Sequence, residues 1–156
     1  MKKNVLLVLS TSGASEAAVS FAVERARKDG ACLAALYIIE SGLANEVFDT
    51  FSDIGFIGDR PSTELSEAIM KEYRQRGYEE LGKVQIKAME AGVDFDPVME
   101  QGEFVIEVLH MIKRKNAALA VLVRRKKKTL LKYFSRSFAD EVAAQAPCEV
   151  VIFTEE

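Results

Sequence analysis

The sequence predicts an α/β domain built on an open parallel sheet. Three observations predict it. Five short apolar runs recur along the chain, rich in Val, Ile, Leu and Ala. Between them lie stretches whose apolar residues are spaced as on one face of a helix. Glycine, proline or clustered polar residues separate the two kinds of segment. The resulting order, β-α-β-α-β-α-β-α-β, is that of parallel strands with helices on both faces of the sheet.

Taken in order, Val5 to Leu9 (VLLVL) is continuously apolar, as expected of a strand covered on both sides. Ser10 to Ser15 is a polar loop containing a glycine. From Ser15 to Lys28 the spacing becomes helical, with Ala18, Phe21, Ala22, Arg25 and Ala26 on one face and Gly30 as the stop. Cys32 to Ile39 is a second buried strand. Ser41 to Pro61 contains Gly42, Gly55 and Gly58, yet also Val47, Phe48, Phe51 and Phe56. It is long for a connector and reads either as a cover over its own domain or as a lid or partner surface.

Ser62 and Thr63 can cap a long helix that runs to about Ala91 and stops at Gly92. Val93 to Glu100 alternates loosely as a strand, and Pro97 within it points to a sheet edge. A helix follows from about Glu103 to Lys115, with Phe104, Val105, Val108 and Ile112 inward and Asn116 as the stop. Ala117 to Val123 is the fourth strand, and the basic loop Arg124 to Lys128 comes next. Phe134, Phe138 and Val142, spaced by four, mark the last helix, and Ser137 to Asp140 resembles a capping box. Pro147 leads into the fifth strand, Cys148 to Phe153.

The chain of 156 residues fits one domain, 1–156, with no internal repeat. No apolar run approaches the roughly 20 residues that a membrane helix needs, and Lys2 and Lys3 precede a stretch too short for a signal peptide. A cytoplasmic protein is the default expectation. The two cysteines, Cys32 and Cys148, are not in a CxxC pattern and read as free buried thiols.

Net charge is −3, but its distribution is uneven. Ten of the 21 basic residues fall between Lys113 and Arg136, a stretch without Asp or Glu, which leaves 11 basic against 24 acidic residues elsewhere. An acidic domain thus carries one concentrated basic segment, which can attract an anion, a nucleic acid or an acidic partner.

Catalytic signatures are missing. The single histidine, His110, lies beside the inward residues of its helix and reads as a surface or boundary residue. Cys32, His110 and Cys148 are too scattered for zinc. There is no GxSxG elbow, Walker A loop or GxGxxG fingerprint. No enzyme is expected.

The strand order expected for this Rossmann-like, five-stranded sheet is 3-2-1-4-5. Ligands of such sheets sit at the carboxyl ends of the strands where the order reverses, here between the first and fourth. The loops there supply Ser10, Thr11 and Ser12 on one side and Arg124, Lys126, Arg136 and Ser137 on the other. Helix N-termini behind both loops favour anions. The order also separates the second and fifth strands by three intervals, about 14 Å. A disulfide needs Cα atoms within about 7 Å, so Cys32 and Cys148 are expected to be unpaired.

The opening VLLVLSTSGASEAAVSFAVERARKDGACLAALYI and the ending AALAVLVRRKKKTLLKYFSRSFADEVAAQAPCEVVIF, with Ala146-Pro147-Cys148 before the last strand, resemble a universal stress protein domain. Element order and spacing match over nearly the whole chain. Nucleotide-binding members of that family carry Gly-x2-Gly-x9-Gly-(Ser/Thr) after the fourth strand. The matching positions here are Val123, Lys126, Arg136 and Ser137, so only the serine survives. The aspartate that the family tends to place after the first strand is Ser10 here.

Glycines let backbone approach phosphates closely, so these departures argue against ATP, and no cofactor is expected. The resemblance then implies a stand-alone stress-response domain acting through protein–protein contacts. It also implies a homodimer by antiparallel pairing of the last strands, Cys148 to Phe153. The basic loop Arg124 to Lys128 reads first as a solvated face or a docking site for an acidic protein. The alternative is a small-molecule module that holds ATP, AMP or another phosphate-bearing ligand, with the backbone of the second strand against a base. Nucleic acid is disfavoured by the acidic remainder and the few aromatics near the loop.

Overall fold

The computed structural model describes residues 3–11, 15–40, 63–125 and 138–155. Among them the elements alternate as the sequence predicts: β1 (Asn4–Ser10), α1 (Glu16–Asp29), β2 (Cys32–Glu40), α2 (Thr63–Glu90), β3 (Phe95–Gly102), α3 (Phe104–Arg114), β4 (Ala117–Arg125), α4 (Phe138–Gln145) and β5 (Glu149–Glu155). All strands are parallel, in the order β3-β2-β1-β4-β5. The segment Ser41 to Pro61 lies outside the described residues.

Two cores result from the period of the strands, because successive side chains point to opposite faces. Val5, Leu7 and Leu9 of β1, with Leu33, Tyr37 and Ile39 of β2, pack on one side against α1 and α2. Leu6 and Val8, with Leu36, Ile38 and Leu122, pack on the other against α3 and α4. Each fully buried Leu or Ile side chain contributes roughly 1.5–3 kcal/mol. Continuous apolar runs in β1 and β2 are therefore what a sheet with both faces covered requires.

The helix ends follow their local chemistry. The Ser15 side chain caps α1 by accepting the Ala18 N–H at 3.2 Å, and Ser15 is wholly buried. Gly30 ends α1 at φ 60°, with the Ala31 N–H returning to the Ala26 carbonyl at 2.9 Å. Gly92 ends α2 in the same way at φ 70°, with the Val93 N–H on the Ala88 carbonyl. Asn116 takes the left-handed conformation after α3. Among the described residues, no helix is long and apolar enough to cross a membrane.

Several details correct the sequence reading. The basic residues Arg124 and Arg125 belong to β4, because its ladder with β5 continues through Arg124–Thr154 and Arg125–Glu155. The buried face of α1 is Ala18, Val19, Ala22, Val23 and Ala26. Phe21 and Arg25 lie at its margin over the edge strand, where Phe21 meets Phe153 at 5.4 Å and Arg25 pairs with Glu149 at 3.1 Å. In α4 the inward residues are Ala139 and Val142, whereas Phe138 is 47% exposed and stacks on Phe104 at 5.8 Å. Phe138 opens the helix and so bridges to α3 rather than covering the sheet.

Pro97 lies in an edge strand as expected, since among the described residues β3 pairs only with β2. His110 is exposed. No disulfide joins Cys32 and Cys148, as expected.

The tightest place in the α2 layer is Gly77. A Cβ added there would lie 2.5 Å from the Met99 methyl and 2.8 Å from the Tyr37 ring. The Met99 side chain can move, but Tyr37 is only 1% exposed. Gly77→Ala is expected to lower stability by about 1–3 kcal/mol despite its better helix propensity, measured by urea unfolding. Burial pushes the Tyr37 phenol above its ordinary value of 10.0. Its contribution to stability is therefore complete below pH 10 and falls as pH rises through the folded-state value. Absorbance titration at alkaline pH is expected to show one late-ionising tyrosine, which Tyr37→Phe removes.

Candidate functional site at the carboxyl ends of β1 and β4

β1 and β4 are neighbours, yet their pairing stops early. It ends at Leu7–Val121, while β1 stays paired with β2 up to Ser10 and β4 with β5 up to Arg125. Beyond Leu7 and Val121 the two strands part. The cause is the reversal of direction in the sheet: the chain leaves β1 for α1 on one face, and α4, which follows β4, lies on the other. The crevice thus opens where the topology requires it.

Ser10 and Thr11 end one wall, and both are half-buried. Val123 and Arg124 end the other. They point to opposite faces: Val123 packs against the core beneath α1, so its side chain is part of the fold. Ser12, Lys126, Arg136 and Ser137 lie outside the described residues. Ser15, the last residue of the first loop, spends its hydroxyl on the cap of α1.

Arg124 turns to the α4 side, where it meets two groups that the sequence reading did not assign to it. Its Nη1 donates to both carboxylate oxygens of Asp140 at 2.8 Å. Its Nε and Nη2 reach the Thr154 Oγ1 at 3.4 and 3.3 Å. One guanidinium therefore ties the ends of β4 and β5 to the first turn of α4. Arg124 and Asp140 are 38% and 35% exposed, so the pair is worth at most about 1 kcal/mol. Its larger effect is to orient the cation and balance its charge. Its signal in the sequence is an acid in the first turn of the last helix.

The helix starts at this edge share a feature. α1 has Glu16 in its first turn, α3 has Glu107, and α4 has Asp140 and Glu141. Glu107 folds back so closely that a Cβ on Gly102 would lie 2.6 Å from its carboxylate. The positive ends of these helices already face carboxylates of the chain itself.

No group of three or more His, Cys, Asp or Glu that could hold a metal occurs among the described residues. Burial, followed by the charge of Glu149, pushes the Cys148 thiol up, the opposite of what activates a nucleophile. An open depression of about 760 Å³ lies at the other end of the sheet, lined by Lys3, Asn4, Arg25, Asp29 and Glu149 among others. Arg25 there is already paired with both Asp29 and Glu149.

Comparison with known proteins agrees with this architecture. No curated protein sequence matches the chain. Among solved structures, universal stress protein UspA from Lactobacillus plantarum superposes with a TM-score of 0.73 at 18% identity, covering 97% of each chain. A universal stress protein in complex with cAMP gives 0.67 at 17% identity, covering 99% of this chain and 98% of that one. The universal stress protein from Archaeoglobus fulgidus in complex with dAMP gives 0.61 at 15%, covering 97% of each. At such identities the likeness is one of fold. The sequence model that describes the universal stress protein family matches residues 1–154, and the chain belongs to that family.

Proposed function

We propose that this chain is a non-enzymatic universal stress protein domain that has given up nucleotide binding and acts in stress response through dimerisation and protein contacts. The observation that carries this reading is the Arg124–Asp140 pair. Among the described residues, the cation nearest the crevice is balanced by a carboxylate of the same chain, and that carboxylate occupies the helix start where a phosphate would be stabilised. Glu16 and Glu107 add repulsion at the neighbouring helix starts. Side chains stand at the three positions, Val123, Lys126 and Arg136, where nucleotide-binding relatives have glycine. Together these charges and side chains support the reading that a triphosphate is not held here.

Dimerisation is assigned to the β5 edge. Among the described residues β5 pairs with β4 alone, and Val150 to Phe153 offer that edge to a second copy. The cations of Lys126 to Lys128 are assigned to an acidic protein surface.

One observation favours a second reading, a small-molecule module. β1 and β4 do part, and that crevice is the place where this fold holds ligands. Two proteins of similar fold were solved with cAMP and dAMP.

Calorimetric titration of ATP, ADP and AMP into the full chain separates the two. The expected result is no saturable heat at physiological salt and at most weak, salt-sensitive heat at low salt. Micromolar binding that persists at physiological salt would establish the second reading instead. The charge argument has its own test. Asp140→Asn leaves the Arg124 cation unbalanced, and affinity for inorganic phosphate is expected to rise several-fold over the wild type at low salt. An unchanged affinity would show that Asp140 does not guard the crevice.

A further inference from the structure

α2 carries two apolar stripes, and the sheet uses only one of them. Leu81, Val84 and Ala88 belong to the core, and Gly77 lies against Tyr37 of β2 and Met99 of β3. Tyr78, Ile86 and Met89 lie on the opposite side and are 63%, 58% and 68% exposed. At about 100° per residue they fall within roughly a quarter-turn of one another, and Gly82 lies in the middle of their stripe.

The two glycines of this helix differ. Gly77 is explained by the fold, because a side chain there would strike Tyr37 and Met99. Gly82 is not: a Cβ there meets nothing within 4 Å, and its φ is not positive. A glycine inside a helix costs roughly 1 kcal/mol relative to alanine. Within a single chain that cost at Gly82 has no return. A second helix crossing α2 at this point supplies one, since the separation of packed helices is set by the side chains at the contact.

We infer that this stripe is a self-association surface on which α2 of a second copy of the chain packs antiparallel, crossing at Gly82. The occupant follows from the symmetry of the stripe. Tyr78 stands four residues before Gly82 and Ile86 four after. A two-fold axis at Gly82 therefore lays each Tyr78 beside the Ile86 of the other copy. Met89, seven residues after, comes level with Gln75, seven before.

Lys71, on the same stripe, stands eleven residues before Gly82, about 16 Å along the axis. The other copy's helix ends at Glu90, about 12 Å beyond its Gly82. Lys71 thus comes within reach of the Glu90 carboxylate at the end of that helix, where a cation is favoured. The surface lies over β2 and β3, at the far side of the sheet from β5. It neither competes with pairing at β5 nor depends on it.

The test is Gly82→Cys in the full chain. Packed helix axes about 8–10 Å apart, with Cα atoms at a radius of about 2.3 Å, bring facing Cα atoms to roughly 3.5–5.5 Å. The upper part of that span falls in the disulfide range of about 4.4–6.8 Å. Mild oxidation is expected to cross-link most of the Gly82→Cys protein into covalent dimers, while the parent, which keeps Cys32 and Cys148, does not cross-link. Adding Ile86→Lys is expected to abolish the cross-link.

In sedimentation equilibrium, Ile86→Lys alone is expected to lower the mass of the parent to that of the assembly β5 forms by itself. Its helical circular dichroism should be unchanged, because Ile86 is exposed. An absence of cross-link, or an Ile86→Lys mass equal to the parent's, would overturn the inference.

Discussion

Everything in this domain depends on covering both faces of β1 and β2. Their side chains alternate between two separate cores, and nearly every one of them is out of water. Such strands cannot be stable with a helix layer on one side only. The chain must therefore cross the sheet in opposite directions, with α1 and α2 to one side and α3 and α4 to the other. The reversal between β1 and β4 is the price of that arrangement. The crevice is its by-product, present whether or not anything binds there.

This explains how the domain can keep the architecture of its family whatever residues stand at its crevice. The buried alternation of β1, β2 and β4 ends before the carboxyl tips. At the tips, Arg124, Asp140 and Thr154 form a network that owes nothing to the cores and could change without disturbing them. Stability resides in the strand centres and chemistry at the strand ends. The two are separated by only a few residues of each strand.

Much of the fold was legible because its signals are local. Continuous apolar runs marked the strands, Gly30, Gly92 and Asn116 marked helix ends, and Pro97 marked an edge. What misled was of two kinds. Charge suggested a loop at Arg124 and Arg125, but the ladder to β5 continues through them, because a strand tip needs no apolar side chain to stay paired. Spacing by four marks the last helix through Phe138 and Val142, but its buried residues are Ala139 and Val142, three apart, and these smaller side chains lie against the sheet. The site was half legible. The topology gave its place and Arg124 its cation. The partner Asp140, sixteen residues away, could not be read from spacing, because nothing in the intervening sequence fixes its distance from the strand tip.

The two edges of the sheet are not equivalent. β3 carries Pro97, along with Asp96 and Glu100, on the outer strand next to β2, whereas β5 presents Val150 to Phe153 without proline. A proline in an edge strand removes a donor from the row that an incoming strand would use. Whatever chain pairs with β5, the far edge cannot hand the pairing on to another. Extension of the sheet from molecule to molecule is blocked on one side, so hydrogen-bonded growth ends after a single step. The feature that makes β3 a poor strand in isolation thus protects a domain with an open, apolar edge from becoming the seed of a fibril.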